Sequence, residues 1–519
     1  MIISSATGGL RAVQSQPFAR RPPEIFAEPV HASYIALAEM AVDLAMRGGA
    51  TYADIRLGQT EAEYLAGREN HIENCSWDLS LGFGLRVLLR GSWGFAASEK
   101  LTEAEIRRAA ALALEKAEAN ARLQNRPIVL EDIPARQQTW VMPVKRDPFA
   151  VPLNEKTGLL LEINAAALKA GASYCRSNLY FAREDRLFVN SRGSRIEQSR
   201  IRTRPYFSVT AIDRQTGEFA RRDSLAPPRA AGFEHVAACD LIAEAAVAAV
   251  QAREKLAAKP AQPGVCDAVI DGTNLYLTIH ETVGHSTELD RALGWEADMA
   301  GTTFVTPECL DALQFGSPLM TIAAERTSEG GLSTIAFDDD GVESAGAEFF
   351  IVERGVFRNY QMAVGQARFI GRERSNGCAY ADSPSSFPIQ RMPNISLLPN
   401  PEPCSLDDLI GGVENGVYIV GDGSWSIDQQ RDNFQFGGQI FYEIKDGKLG
   451  PMLRDAAYQD RTLRFWNSLD GLGDRSTHHL GGSFCCGKAQ PLQIAPVSHG
   501  APACRFRGVT IINTRHEDG

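Results

Sequence analysis

The chain has 519 residues, 44% of them hydrophobic and 23% charged, with a net charge of −11. This is an ordinary globular composition, too long for one small core and suited to two or three domains. The acidic balance argues against a nucleic-acid binder or a protein drawn to anionic membranes, both of which need a basic field, and no run approaches the ~18 apolar residues of a membrane span.

Residues 1–30 read as a flexible tail. Met1 to Leu10 lacks a charged start followed by an apolar block, and Arg20-Arg21 runs into Pro22-Pro23-Glu24. Neither pattern is an export signal, so a cytoplasmic protein is expected. Apolar spacing predicts a helix from Ser33 to Arg47, stopped by Gly48-Gly49. Strands are predicted over Ala53–Leu57 and Ser80–Leu89, the second turning at Arg90-Gly91 into Ser92–Ala96 as a hairpin. Thr102 and Glu105 have capping-box spacing and open a helix to about Ala121. The polar, proline-bearing stretch from Gln124 to Pro152 reads as a surface connector.

A helix over Asn154–Lys169, strands over Ser173–Ala182, Arg186–Asn190, Ser194–Gln198 and Arg200–Ile212, and an alanine-rich helix over Ala237–Ala258 complete this half. Residues 31–260 are therefore expected to form an α/β domain with a mixed sheet and flanking helices. Lys259-Pro-Ala-Gln-Pro-Gly264 marks the boundary. Residues 261–519 are expected to be mainly β, closed or sandwiched, with a short helix at Leu406–Val413. The whole chain is thus assigned to the α+β class.

The second domain opens with a strand, Val265–Ile270, and a helix start at Asp271-Gly-Thr-Asn274. On that helix lies His280-Glu281-Thr-Val-Gly284-His285. Two imidazoles with a carboxylate beside the first are what a hydrolytic zinc site needs. The spacing is one residue longer than H-E-x-x-H. At ~100° per residue, an i,i+5 pair on a regular helix sits roughly 140° apart. A π-bulge absorbing one residue, eased by Gly284, would bring both histidines to one side.

A catalytic zinc takes a third protein ligand. Glu288, Asp338-Asp339-Asp340, the loop pair His478-His479 and the Gly-flanked loop Cys485-Cys486-Gly-Lys488 are all candidates, and spacing does not choose among them. Aspartates before glycine are usually turns, and paired loop histidines are usually solvated. The ten cysteines form no C-x-x-C pair, so most are expected to be small buried hydrophobes.

The chain resembles the TldD/PmbA family of bacterial and archaeal metalloproteases, on its metal-bearing TldD branch. The matching stretches are Ala53–Leu57, Gly84–Leu88, Trp93–Ala96, His280–His285, Arg391-Met-Pro-Asn394 and Cys486-Gly-Lys488. Together they run along nearly the whole chain. The resemblance implies zinc (Zn2+) held by His280, His285 and Cys486, with Glu281 as catalytic carboxylate and Cys485 structural. It implies a zinc-dependent peptidase acting on unfolded or short peptides, working as a homodimer or as a heterodimer with a metal-free homologue. The rival readings are a non-catalytic partner subunit and a zinc amidohydrolase acting on a non-peptide amide. The intact His280-Glu281 and His285 argue against the first rival.

Overall fold

The computed structural model describes residues 30–515. Of the expected tail, residues 1–29 lie outside the described part; Val30 already belongs to the first helix.

The N-terminal half contains helix α1 (Val30–Arg47), strands β1 (Tyr52–Arg68), β2 (His71–Leu89) and β3 (Ser92–Ser98), helix α2 (Glu103–Ala121) and strand β4 (Gln137–Val141). Helix α3 (Leu153–Lys169), strands β5 (Tyr174–Asn190), β6 (Arg195–Ile212) and β7 (Phe219–Asp223), and helices α4 (Phe233–Ala238) and α5 (Leu241–Ala257) follow. The strands form one sheet in the order β3-β2-β1-β5-β6-β4, with β7 also on β6. Only the β4–β6 pairing is parallel, so the sheet is mixed, as expected.

Two helix pairs cover this sheet. Ala38, Ala41 and Ala45 of α1 pack with Ile106, Ala109 and Ala113 of α2 over Ile55, Leu57 and Leu85. Helices α3 and α5 cover the other end, over Leu179, Phe181 and Phe207.

Several expectations need correction. The strands are much longer than predicted, because polar residues of β1, β5 and β6 are paired in the sheet rather than exposed to solvent. The connector is not wholly irregular: Gln137–Val141 adds β4 to the sheet edge. The predicted helix over 237–258 is two helices. The break falls at Cys239-Asp240, where the Asp240 carboxylate accepts from the Ala243 N–H at 3.2 Å and caps α5. At Thr102 only half the capping box forms. The hydroxyl accepts from Glu105 N at 3.3 Å, but the Glu105 carboxylate takes Arg108 instead, at 2.6 Å.

The C-terminal half begins with strands β8 (Lys259–Pro260) and β9 (Gly264–Ile270), helices α6 (Gly272–Ile279) and α7 (Leu289–Ala292), and strands β10 (Ile322–Glu325), β11 (Phe349–Glu353) and β12 (Val356–Phe357). It continues through β13 (Ala379–Tyr380), β14 (Ile389–Gln390), β15 (Asn394–Leu397), α8 (Leu406–Gly411), β16 (Asn415–Ile427), β17 (Asn433–Lys445), β18 (Lys448–Arg454) and β19 (Ala456–Arg461). It ends with α9 (Thr462–Asn467), β20 (Leu469–Leu472), β21 (His479–Lys488), β22 (Gln493–Ala501) and β23 (Cys504–Asn513).

One sheet runs β16-β9-β23-β19-β17, and β17 pairs back onto β16, closing the ring. A second runs β12-β11-β10-β15-β22-β21, which leaves β21 at its edge. Helix α6 rises from the end of β9 and packs against β21 and β22, so the motif lies between the two sheets. No helix among the described residues is long and apolar enough to cross a membrane.

Candidate metal centre

The Asp271 side chain accepts from Thr273 N at 2.9 Å and starts α6 directly off β9. After Ile279 the hydrogen bonding changes. The His285 N–H donates to the His280 carbonyl, an i→i−5 bond, and a single π turn spans His280–Gly284. The extra residue is absorbed, and the two imidazole centroids stand 4.7 Å apart. The turn is braced from outside: Gln361 Nε2 donates to the Gly284 carbonyl at 2.6 Å, and Trp466 Nε1 donates to Thr282 Oγ1 at 2.9 Å. Gly284 has a spatial role besides weakening the helix. A Cβ there would lie 2.7 Å from Met392 Sδ.

Cys486 comes from β21, not from the flexible loop expected of its glycines. Gly481 is a packing residue, since a Cβ on it would lie 2.3 Å from Tyr276 Cγ of α6. Small residues let helix and strand touch, and the contact carries Cys486 to the motif. The register of β21 on β22 shifts between Ser483 and Cys486. Adjacent strand residues face opposite ways, which buries Cys486 and exposes Cys485.

One nitrogen each from His280 and His285 and the Cys486 sulfur lie within 4.8 Å of one another, all buried. Cys486 Sγ is 3.7 Å from His285 Nε2. Tetrahedral zinc holds such atoms roughly 3.3–3.6 Å apart, so the set is slightly wider than a filled shell. The other ring nitrogens are engaged. His280 Nδ1 meets His499 Nε2 at 2.7 Å, and His285 Nδ1 meets Glu288 Oε2 at 2.9 Å. Both Nε2 atoms are thereby left for a ligand.

Charge tuning suits a cation. Burial lowers the pKa of His280, and that of His285 to about 4, so both stay neutral and able to coordinate. Burial alone would raise the Cys486 thiol, but Arg391 and His285 outweigh it and lower the thiol, favouring thiolate. Two neutral imidazoles and a thiolate are a zinc-type donor set.

Glu288 is not a third ligand. It supports His285 and is held by Arg291 and by Lys488, 3.2 Å away. Lys488 also pairs with Asp290 at 2.7 Å. Asp338–Asp340 turn before Gly341 but are buried, not solvated. Asp340 pairs with Arg86 at 2.7 Å and Asp339 with Arg186, tying the two halves together. His478 and His479 are half-buried where β21 begins and belong to no cluster of three or more ligand-type side chains among the described residues. Sequence reasoning missed His499, whose segment carries no motif, and Arg431, whose Nη1 donates to Glu281 Oε2 at 3.0 Å.

Glu281, His280 and His285 open onto a cleft of about 660 Å³. Its walls come from both halves: Arg204, Tyr206 and Leu225–Pro228 on one side, and Trp425, Arg431 and Gly481–Gly487 on the other.

Three family models match this chain. They are described as PmbA/TldA metallopeptidase domain 1 (residues 53–118), central domain (146–254) and C-terminal domain (263–513). A metalloprotease from Methanothermobacter thermautotrophicus is 28% identical over 89% of this chain and 96% of its own length. A protein named zinc metalloprotease TldD homolog, from Saccharolobus solfataricus, is 24% identical over 45% of this chain and 48% of its own. The solved structure of a proposed DNA gyrase modulator from Thermotoga maritima shares the fold. Its TM-score is 0.72 at 15% identity, covering 92% of this chain and 100% of that one.

Proposed function

Because the chain belongs to the PmbA/TldD metallopeptidase family, we propose that it is a zinc-dependent peptidase acting in the cytoplasm on unfolded or short peptides. One observation carries this reading: His280, His285 and Cys486 converge on a single point, with Glu281 on the same turn. The name of the Saccharolobus relative supports zinc. Zinc bound there would acidify a water ligand towards neutrality and polarise the scissile carbonyl.

Within this reading the chain's own groups do the rest. Glu281 takes the proton from the attacking water and hands it to the leaving amine. Arg431 grips Oε2 of Glu281, which fixes the carboxylate's direction. His499 and Glu288 hold the two imidazoles in the required orientation. The Cys486 thiolate donates more charge than a third imidazole would, which favours a slow, selective enzyme. Strand β21 ends its sheet and lines the cleft. Its free edge suits pairing with an extended substrate backbone. Residues 31–260 and 261–519 act as two domains contributing opposite walls. The assembly proposed is a homodimer or a heterodimer with a metal-free homologue, with the cleft facing inward.

The test is Glu281→Gln. It should retain zinc, read by anomalous scattering at the zinc edge, and lose peptide cleavage. Cleavage retained by this variant would refute the role of Glu281. A folded wild-type protein that takes up no zinc would favour the non-catalytic partner.

A further inference from the structure

Arg204 lies in β6 of the N-terminal sheet and lines the cleft that contains His280, Glu281 and His285. It is half-buried, and its Nε is shielded from water without a hydrogen-bond partner. No carboxylate among the described residues pairs with it. The two carboxylates of the cleft are already taken: Glu281 by Arg431, and Asp422 by Tyr276 and Gln439. The guanidinium's one neighbour of note is Tyr206, with Cζ 5.6 Å from the ring centroid. A half-buried cation without an anion is costly, and a planar guanidinium stacked on an aromatic ring is preorganised for a carboxylate.

Its position relative to the candidate metal centre follows from the register. Arg204 sits opposite Tyr180 across β5–β6, so both side chains share a face. Tyr180 meets Phe484 edge to face at 5.3 Å. Phe484 lies on β21, two residues before Cys486. A strand rises ~3.3 Å per residue, so a substrate paired along β21 would pass Arg204 within about two residues of its reacting bond.

We infer that Arg204 selects peptides carrying a carboxylate close to the scissile bond, either an acidic side chain or a free C-terminus. This rests on the peptidase reading and names its substrate class. The experiment uses the zinc-loaded full chain and quenched-fluorescent peptides of neutral sequence. Glu, Gln or Lys is placed at each position in turn, and each peptide is made with a free or an amidated C-terminus.

For at least one placement the carboxylate peptide should exceed its neutral twin roughly 10- to 100-fold in kcat/KM, the range of a charge-assisted hydrogen bond, carried mainly by KM. Arg204→Gln should collapse the ratio, Arg204→Lys should keep part of it, and Arg204→Glu should turn the preference towards Lys. The side-chain and C-terminal arms identify which carboxylate is read. Cleavage with no carboxylate preference, or a preference surviving in Arg204→Gln, would overturn the inference and leave the peptidase reading standing. Anisotropy binding of the same peptides to Glu281→Gln protein reads the preference without turnover. Selective binding without any wild-type cleavage would sink the peptidase reading and keep the role of Arg204.

Discussion

Replacing Glu288 with Gln keeps the side chain's shape and one acceptor oxygen but removes a charge that three groups use. Glu288 is 0% exposed, and Arg291 and Lys488 are each 1% exposed. Without the carboxylate these two cations are left with Asp290 and neutral oxygens. Removing one partner of a buried ion pair costs about 3–5 kcal/mol. Losing the group that orients a metal ligand costs ~10–100-fold in affinity, or ~1.4–2.7 kcal/mol. Glu288→Gln should therefore lower both the urea midpoint of the metal-free protein and the zinc affinity measured against a competing chelator.

The effect carries a pH signature. Burial would raise Glu288, but Lys488, Arg291 and His285 outweigh it and hold the carboxyl well below its usual range. A carboxylate with a depressed folded pKa stabilises above its unfolded value of ~4.3 and loses that contribution as pH falls through the folded one. The gap between wild type and variant should be full at neutral pH and close in acid. Glu118→Gln, which breaks a surface pair with Arg90, is the control and should cost at most ~0.5 kcal/mol. A Glu288→Gln protein that melts and binds zinc like wild type would refute this account of the buried network.

Cys486→Ser should lose zinc, measured by metal analysis of the purified protein, while Cys485→Ser should keep it; the reverse result would exchange their roles. Gly284→Ala should cost about 1–3 kcal/mol by overpacking against Met392, and Met392→Ala should relieve much of that in a double-mutant cycle. Asp185 is buried without an ion pair among the described residues, and burial pushes its carboxyl up to about 6. A raised carboxyl costs stability as pH climbs from its unfolded value of ~3.9 through 6. Asp185→Asn should thus stabilise by about 1–3 kcal/mol at pH 8 and by almost nothing at pH 4, read from melts at the two pH values.

The parts of this molecule written in local pattern were legible. The spacing of His280 and His285 implied a π turn, because no regular helix puts an i,i+5 pair on one side, and the turn is present. Asp271 as a helix cap and the β2–β3 hairpin were equally local. What failed was decided across the fold. Gly481 looked like a loop signal, yet it is where α6 presses on β21. His499 lies 219 residues from His280 and has no neighbouring motif. Asp338–Asp340 looked like no more than a turn because the arginine partners of Asp339 and Asp340 lie more than 150 residues away. The choice of Cys486 over Cys485 came from resemblance; the alternation of β21 supplies a physical reason for it.

Those aspartates have a consequence for biogenesis. Arg56, only 3% exposed, pairs with Asp339 and donates to the Ser386 carbonyl, 330 residues downstream. While the ribosome is still translating the second half, Arg56 lacks both Asp339 and the Ser386 carbonyl, and this face of the first sheet is uncovered. The leading half is then an incomplete folding unit that waits for the trailing one. Severed at residue 260, neither fragment should be well behaved alone, whereas co-expressed halves should find each other and complement.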